Sequence, residues 1–311
     1  MSPNPHSFSA ASIPDLTGRV FVVTGGNTGI GYETCLQLAK KNATIVMASR
    51  SEERAAGAIE KIKASTGNDK IEFLKLVLND LNQVSSAAKE LTARHTKIDV
   101  LVNNAGIMAS PFALSVDGIE DQFATNHVGH FLFTREVLPA LLQGDQPRIV
   151  NLSSSAHTFA PKPEGIRFQS INVEGSMGTW ERYGQSKLSN ILFSKKLNKL
   201  YGDKIIVNSV HPGVVDTELM RGPAATYGTW VRPFLGMFKA LATISPQDGA
   251  LTQLFCATSP IIQEKGLKDR FFEPTASDVT DTSKLSAFGK DDALADKLWE
   301  FTEALLKEKG F

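Results

Sequence analysis

Thr24-Gly25-Gly26-Asn27-Thr28-Gly29-Ile30-Gly31 follows an apolar run from Arg19 to Val23 and leads into an amphipathic stretch from Tyr32 to Lys40. A strand that enters a glycine-rich turn and then a helix N-terminus makes a cradle for a diphosphate. Amide N–H groups without helical partners point at the anion, and glycines let the backbone approach without a Cβ clash. The spacing is G-x-x-x-G-x-G rather than the commoner G-x-G-x-x-G. A tight turn would use the same letters; the flanking strand and helix favour nucleotide binding, with Gly25, Asn27, Thr28, Gly29, Ile30 and Gly31 as its candidate ligands.

Outward from this turn, short β-branched runs alternate with helical patterns. Thr44 to Ala48, Ile71 to Val77, Val100 to Asn103, Arg148 to Leu152 and Ile205 to Val210 read as further strands, and Arg270 to Phe272 as a last one. Near-continuous apolar strands separated by helices imply a parallel sheet covered on both faces, a doubly wound α/β Rossmann fold with ligands at the carboxyl ends of its strands. The 311 residues, 42% hydrophobic and 21% charged, suffice for one such domain from residue 16 to 311. Residues 1 to 15, rich in Ser, Pro and Asn, read as a flexible arm. Lys plus Arg and Asp plus Glu are both 33, so no net charge favours nucleic acid or an anionic membrane as partner. Two cysteines, Cys35 and Cys256, make no disulfide framework. Without a signal-like N-terminus or an uninterrupted apolar span of about 20 residues, a cytoplasmic protein with no transmembrane anchor is expected.

Each strand end carries a candidate. The second closes in Ala48-Ser49-Arg50, where an acid would bond a ribose 2′-hydroxyl and an arginine suits a 2′-phosphate; Arg50 therefore points to NADP. Asp80, past the third strand, could accept from an adenine amino group or cap the next helix, and with Leu81 it is assigned to the cofactor. Asn104, Ala105 and Gly106 close the fourth strand, small enough for backbone to approach a cofactor. Val116 to Leu142 reads as one long helix interrupted by Asn126, a poor interior residue whose amide is either solvated or serves something buried. His127 and His130 stand at i, i+3, but no third ligand has matching spacing, and the reading is packing or interface histidines with no metal.

The fifth strand delivers Ser153-Ser154-Ser155 to the same edge, and Tyr183-Gly184-Gln185-Ser186-Lys187 follows after a long loop. On a helix, Tyr183 and Lys187 share a face. A cation beside a phenol favours phenolate and brings the tyrosine toward acid–base work near neutrality. The ordered set of Thr24 to Gly31, Asn103 to Gly106, Asn126, Ser154, Tyr183 with Lys187, and Pro212-Gly213 resembles the short-chain dehydrogenase/reductase family over nearly the whole chain. The starts and strand ends look most like retinol dehydrogenase-like and WW-domain oxidoreductase-like members. The resemblance implies Tyr183 as catalytic acid/base, Ser154 as the substrate-orienting hydroxyl, and Lys187 as the residue that holds the nicotinamide ribose and depresses the tyrosine pKa. It implies that Asn126 keeps a water linking the lysine to solvent, and that Pro212, Gly213, Val215 and Thr217 lie on the nicotinamide side of the site.

Two aromatic segments are expected to set specificity. The loop from His157 to Arg182 carries Phe159, Phe168 and Trp180; a lid at about 218 to 244 carries Met220, Tyr227, Trp230, Phe234, Met237 and Phe238. Such walls suit an apolar aldehyde, ketone or alcohol, although the same aromatics could pack the lid to the core or to a partner. Asp291 to Lys309 reads as an amphipathic helix on the body. The expectation is an NADP(H)-dependent oxidoreductase moving a hydride between nicotinamide and a carbonyl or alcohol carbon, with a non-enzymatic NADP-binding sensor as the alternative. The family resemblance adds a possible homodimer through the helices carrying Asn126 and Tyr183.

Overall fold

A computed structural model describes residues 8–215, 223, 225, 226 and 244–311. Strands β1 (Val20–Thr24), β2 (Thr44–Ser49), β3 (Ile71–Lys75), β4 (Val100–Asn103), β5 (Arg148–Leu152), β6 (Ile206–Val210) and β7 (Phe271–Glu273) form one parallel sheet in the order β3-β2-β1-β4-β5-β6-β7. The short β8 (Ser277–Asp278) returns antiparallel and covers the β7 edge. The chain therefore reverses direction across the sheet between β1 and β4, and the crevice above their carboxyl ends is where a doubly wound sheet binds ligands.

Successive strand residues point to opposite faces, so the apolar runs divide between two cores. Val22, Val46 and Leu101 pack with α3 (Leu81–Arg94), α5 (Gly129–Leu141), α6 (Thr179–Tyr201) and α9 (Asp292–Glu308). Phe21, Val23, Ile45 and Met47 pack on the other face with α1 (Gly29–Ala39), α2 (Glu52–Thr66), α7 (Pro246–Thr258) and the short α8 (Pro260–Glu264). Arg148 is buried on that side because its guanidinium donates to the carbonyls of Cys256 and Ser259 at the end of α7, at 3.2 and 2.9 Å. The Ser259 carbonyl also accepts the Ile262 amide at 3.3 Å, and a cation at this helix end meets the negative end of its dipole.

Three expectations change. The segment before the β1 strand is not loose where it is described: Ile13 and Leu16 are buried in the second core, and the Phe8 ring meets Phe255 edge-on at 5.4 Å. The helix expected from Val116 starts at α4 (Asp121–Phe123), because Ser115 makes a turn instead. Its hydroxyl accepts from Asp117 and Ile119, Gly118 adopts φ +74°, and the Glu120 carboxylate caps Phe123. Between α4 and α5 the chain is a π turn, Ala124–Val128. Finally, the loop from His157 to Arg182 is shorter than expected, since α6 already begins at Thr179 and holds Trp180.

The helix at the C-terminal end forms as its spacing predicts, with Leu294, Leu298 and Leu306 facing inward. It lies across the helices that carry Asn126 and Tyr183: Trp299 packs on Phe131 and Phe193 at 4.7 and 6.1 Å, while Arg135 pairs with Glu303 and Lys196 with Asp296. Through these contacts α9 packs on both α5 and α6. No helix among the described residues is long and apolar enough to cross a membrane.

Candidate active site

The glycine turn has the shape a diphosphate requires. Gly25 and Gly29 adopt φ +66° and +55°, in the left-handed region that glycine enters without steric cost. A Cβ on Gly31 would lie 2.3 Å from the Gly25 carbonyl oxygen, so only glycine lets α1 begin this close to the turn. Thr28 occupies the N-cap in an extended conformation but makes no side-chain cap, leaving the first amides of α1 without a side-chain acceptor. Asn27 and Ile30 are half-buried beside it. A cradle in which a side chain would collide, at an uncapped helix start, fits the diphosphate of a dinucleotide.

Beneath the turn, Thr24 ties two strand ends together. Its hydroxyl oxygen accepts the amides of Asn104 and Ala105, both at 2.9 Å, and lies 2.8 Å from His130 Nε2. His130 Nδ1 stands 3.1 Å from the Asn126 carbonyl, which can only accept. Its proton is therefore on Nδ1, and Nε2 takes the Thr24 hydroxyl. Burial lowers the His130 pKa to about 4, so the ring is neutral near pH 7. His127 is the packing histidine its spacing suggested, set among Phe123, Phe131 and Phe193, with Nε2 3.2 Å from Thr302.

Asn126 sits in the π turn because its amide serves buried backbone. Oδ1 accepts from Ile107 N at 2.8 Å, and Nδ2 donates to the Ile107 carbonyl and to Ser186 Oγ, each at 2.9 Å. Local π geometry of this kind aims a side chain that a regular helix would place elsewhere. A Cβ on Gly106 would come within 3.0 Å of Asn126 Oδ1 and 3.3 Å of Lys187 Nζ, so these three residues from separate segments meet at one point.

The three serines beyond β5 have separate surroundings. Ser153 turns back and donates to the Lys187 carbonyl at 2.7 Å, and Ser155 is exposed. Ser154, half-buried, accepts from Ala156 N at 3.1 Å and bonds the Tyr183 hydroxyl. Lys187 places Nζ 5.7 Å from the Tyr183 ring centroid and donates to the Leu152 carbonyl at 3.1 Å. Contrary to the expected depression, burial pushes Tyr183 up to about 12, with the Ser154 bond opposing it. Burial also lowers Lys187 to about 8. Among the protein's own groups the desolvation of two buried side chains outweighs a cation whose hydrogen bonding is directed at a carbonyl.

Of the remaining candidates, Arg50 is exposed at the end of β2 with no ion-pair partner among the described residues, while Glu52 and Glu53 stand exposed in the first turn of α2. Asp80 is the helix cap that its position also allowed: its two oxygens take Gln83 N and Nε2 at 3.1 and 2.8 Å. Leu81 departs from the expected cofactor contact, because its side chain is in the core and its amide donates to Asp117 at 3.0 Å. Gly213 adopts φ +91° after Pro212, and a Cβ there would meet Ile244 at 2.8 Å. Val215 is buried where Gly249 gives it room, alongside Ile30 of the cradle. Thr217 and the lid aromatics lie outside the described residues.

The loop aromatics part company. Phe168 packs on Phe301 at 5.0 Å beneath Lys297, away from Tyr183. Phe159 and Trp180 stay 54% and 38% exposed at the mouth, 6.4 Å apart, with Trp180 6.2 Å from Tyr183. The residues no motif announced are His130, read only as packing, and the buried pair Arg182 and Glu120 at 3.1 Å. The one signal for the pair was a charge directly before Tyr183.

A family model of short chain dehydrogenases matches residues 19–227. The chain is a short-chain dehydrogenase/reductase. Full-length relatives agree. A short-chain dehydrogenase/reductase from Aspergillus calidoustus, drtF, is 39% identical across 96% of both chains. Short-chain dehydrogenase TIC 32 B, chloroplastic, from Brassica napus is 37% identical over 96% of this chain and 93% of that protein. Retinol dehydrogenase 12 of Mus musculus is 34% identical, covering 94% and 87%. Among solved structures, an uncharacterized protein from Mycobacterium Paratuberculosis superposes with a TM-score of 0.75 at 30% identity over 96% and 97% of the two chains. A Shigella flexneri short chain dehydrogenase complexed with NADP shares the fold, at 21% identity and a TM-score of 0.63, over 83% of this chain and 98% of that one. This short-chain dehydrogenase/reductase is an oxidoreductase acting on CH–OH donors.

Proposed function

We propose that the enzyme exchanges a hydride between NADP(H) and an apolar aldehyde, ketone or corresponding alcohol. The observation that carries this reading is the convergence of Ser154, Tyr183 and Lys187, from β5 and α6, beside the glycine cradle at one sheet edge. Bound nicotinamide supplies the hydride in reduction and accepts it in oxidation.

The chain's own residues do the rest. Ser154 Oγ and the Tyr183 hydroxyl hold the substrate oxygen, and Tyr183 gives that oxygen its proton in reduction and takes it in oxidation. Lys187 holds the ribose, and its charge favours the tyrosinate that proton donation leaves. Asn126 fixes Ile107 and Ser186 around them. Gly25, Asn27, Thr28, Gly29, Ile30 and Gly31 take the diphosphate, Asn104, Ala105 and Gly106 give the cofactor room, and Pro212, Gly213, Val215 and Thr217 border the nicotinamide. For NADP, the support is an exposed Arg50, without an ion pair among the described residues, at a β2 end without an acid. Apolar substrates suit a mouth bordered by Phe159 and Trp180. The dehydrogenase names among the relatives, retinol dehydrogenase 12 included, agree with such a class.

The deciding experiment follows NADPH consumption by purified enzyme across lipophilic aldehydes, ketones and quinones, with small sugars as contrast. Wild type is expected to turn over a lipophilic class, and Tyr183→Phe to bind NADPH while losing about 10²–10⁴-fold in kcat. Faster turnover of sugars would remove the apolar reading. An unimpaired Tyr183→Phe would remove the assignment of the acid.

A further inference from the structure

Beyond Gly106 the chain leaves β4 as irregular backbone, residues 107–112, and passes between the Asn126 turn and the start of α6. Side chains from other segments hold it. Asn126 takes both polar groups of Ile107. Ala109, in the left-handed region at φ +48°, gives its amide to Gln122 Oε1 at 2.8 Å, and its carbonyl accepts Thr226 Oγ1 at 2.6 Å. The Ser110 carbonyl accepts Arg182 Nη2 at 3.0 Å and Thr179 Oγ1 at 3.3 Å. Buried backbone outside helix and sheet needs partners of this kind, and a non-glycine residue at positive φ persists only where its surroundings enforce it.

Arg182 is the hub of these contacts. Its Nε donates to Glu120 Oε1 at 3.1 Å, Nη1 to the Met177 carbonyl at 3.2 Å, and Nη2 to Thr179 Oγ1 at 2.9 Å as well as to Ser110. Its Cζ stands 5.5 Å from the Phe112 ring centroid. The paired side chains are 7% and 2% exposed. Glu120 in turn caps Phe123 through Oε2, and its amide donates to Asn172 Oδ1 at 2.8 Å, so the loop before α6 joins the same cluster.

We infer that Arg182, paired with Glu120, is a positioning residue that fixes segment 107–112 as a wall of the substrate site beside Tyr183. Arg182 immediately precedes the tyrosine, so the clamp that orders the wall is built into the first turn of the catalytic helix. The planar fork is what the arrangement needs, because it reaches a carboxylate, two carbonyls and a hydroxyl in different directions at once. A lysine keeps the charge but bonds from a single nitrogen. The effect on substrate rests on the proposed carbonyl chemistry; the effect on the wall does not.

The test combines amide hydrogen exchange of the whole protein with steady-state kinetics in Arg182→Lys and in the doubly altered Arg182→Met/Glu120→Gln. The second variant leaves no unpaired buried charge and keeps an acceptor for the Phe123 cap. In both, exchange at Ile107 and Ala109 is expected to quicken about tenfold or more, with β4 and β5 amides unchanged. KM for the carbonyl substrate should rise about tenfold with kcat within about threefold, and NADPH affinity should stay within about twofold. Unchanged exchange across 107–112 in both variants overturns the inference. So does faster exchange with KM unmoved, which would make the pair structural glue only. Wild-type inactivity on every carbonyl would count against the proposed function, and the exchange result alone would then decide the clamp.

Discussion

Arg50 and His130 illustrate how much a single side chain can decide. Arg50 sits at the end of β2 with its guanidinium free of ion pairs among the described residues, so it can meet a 2′-phosphate without first breaking a bond. Arg50→Ala is expected to raise the Kd for NADPH by about tenfold, the scale of one charge-assisted contact, and to leave NADH unchanged. Titration of the protein's fluorescence with each cofactor checks this, and an unaltered preference would move the discrimination elsewhere. His130 carries a different consequence. Burial depresses His130 and His211 to about 4 and His127 to about 3. Between those values and about 6.5 the unfolded chain binds protons that the folded chain refuses, so stability is full above about 6.5 and falls as the pH drops toward 4. Each histidine contributes a slope of at most about 1.4 kcal/mol per pH unit. His130→Gln should lower the midpoint at pH 7, because Thr24 and Asn126 lose their shared partner, and should flatten the acid slope. Equal slopes in urea titrations of the two proteins would contradict the neutral, buried ring.

At the scale of elements, the close approach of α5 to the segment after β3 depends on Gly129. A Cβ there would fall 2.2 Å from the Leu78 carbonyl oxygen. Helix propensity alone favours Gly129→Ala by about 1 kcal/mol, whereas forcing a packed helix off its neighbour costs about 1–3 kcal/mol. Because the obstacle is backbone rather than a flexible side chain, the second effect should win, and the urea midpoint of Gly129→Ala should fall. A midpoint that rises would mean α5 has slack at this contact. The π turn just before Gly129 belongs to the same economy of space, holding Asn126 against Ile107 while α5 keeps its seat on α3.

For the whole molecule, α9 is the element that changes the surface. With Trp299 on Phe131 and Phe193, and Leu298 and Leu306 in the same core, it covers apolar surface of α5 and α6. Removing residues 291–311 would expose the Phe131 and Phe193 rings together with the core side of α6, an apolar patch of the kind that drives association. Sedimentation velocity should find the intact chain undimerised through this face and the truncated chain self-associated. A truncated chain that stays monomeric and folded would show that the cover is dispensable.

Local chemistry determined a large part of this protein. Strand periodicity placed the sheet to within about two residues at most strand ends, and the glycine turn, the three serines and the Tyr183–Lys187 pair were legible because each needs only neighbours in sequence. Asn126 announced itself as a misfit in a helix. The tertiary structure alone decided what long-range packing decides. Glu120 and Arg182 meet across 62 residues, so neither residue signals the other. Phe168 and Trp180 read alike in the loop, yet one packs under α9 and the other stays at the mouth. Ser153 and Ser154 are chemically identical, and only the backbone beyond β5 sends one to the Lys187 carbonyl and the other to the Tyr183 side chain. The direction of the Tyr183 pKa follows the same rule: a nearby lysine can be read from spacing, but desolvation depends on everything that folds around the pair.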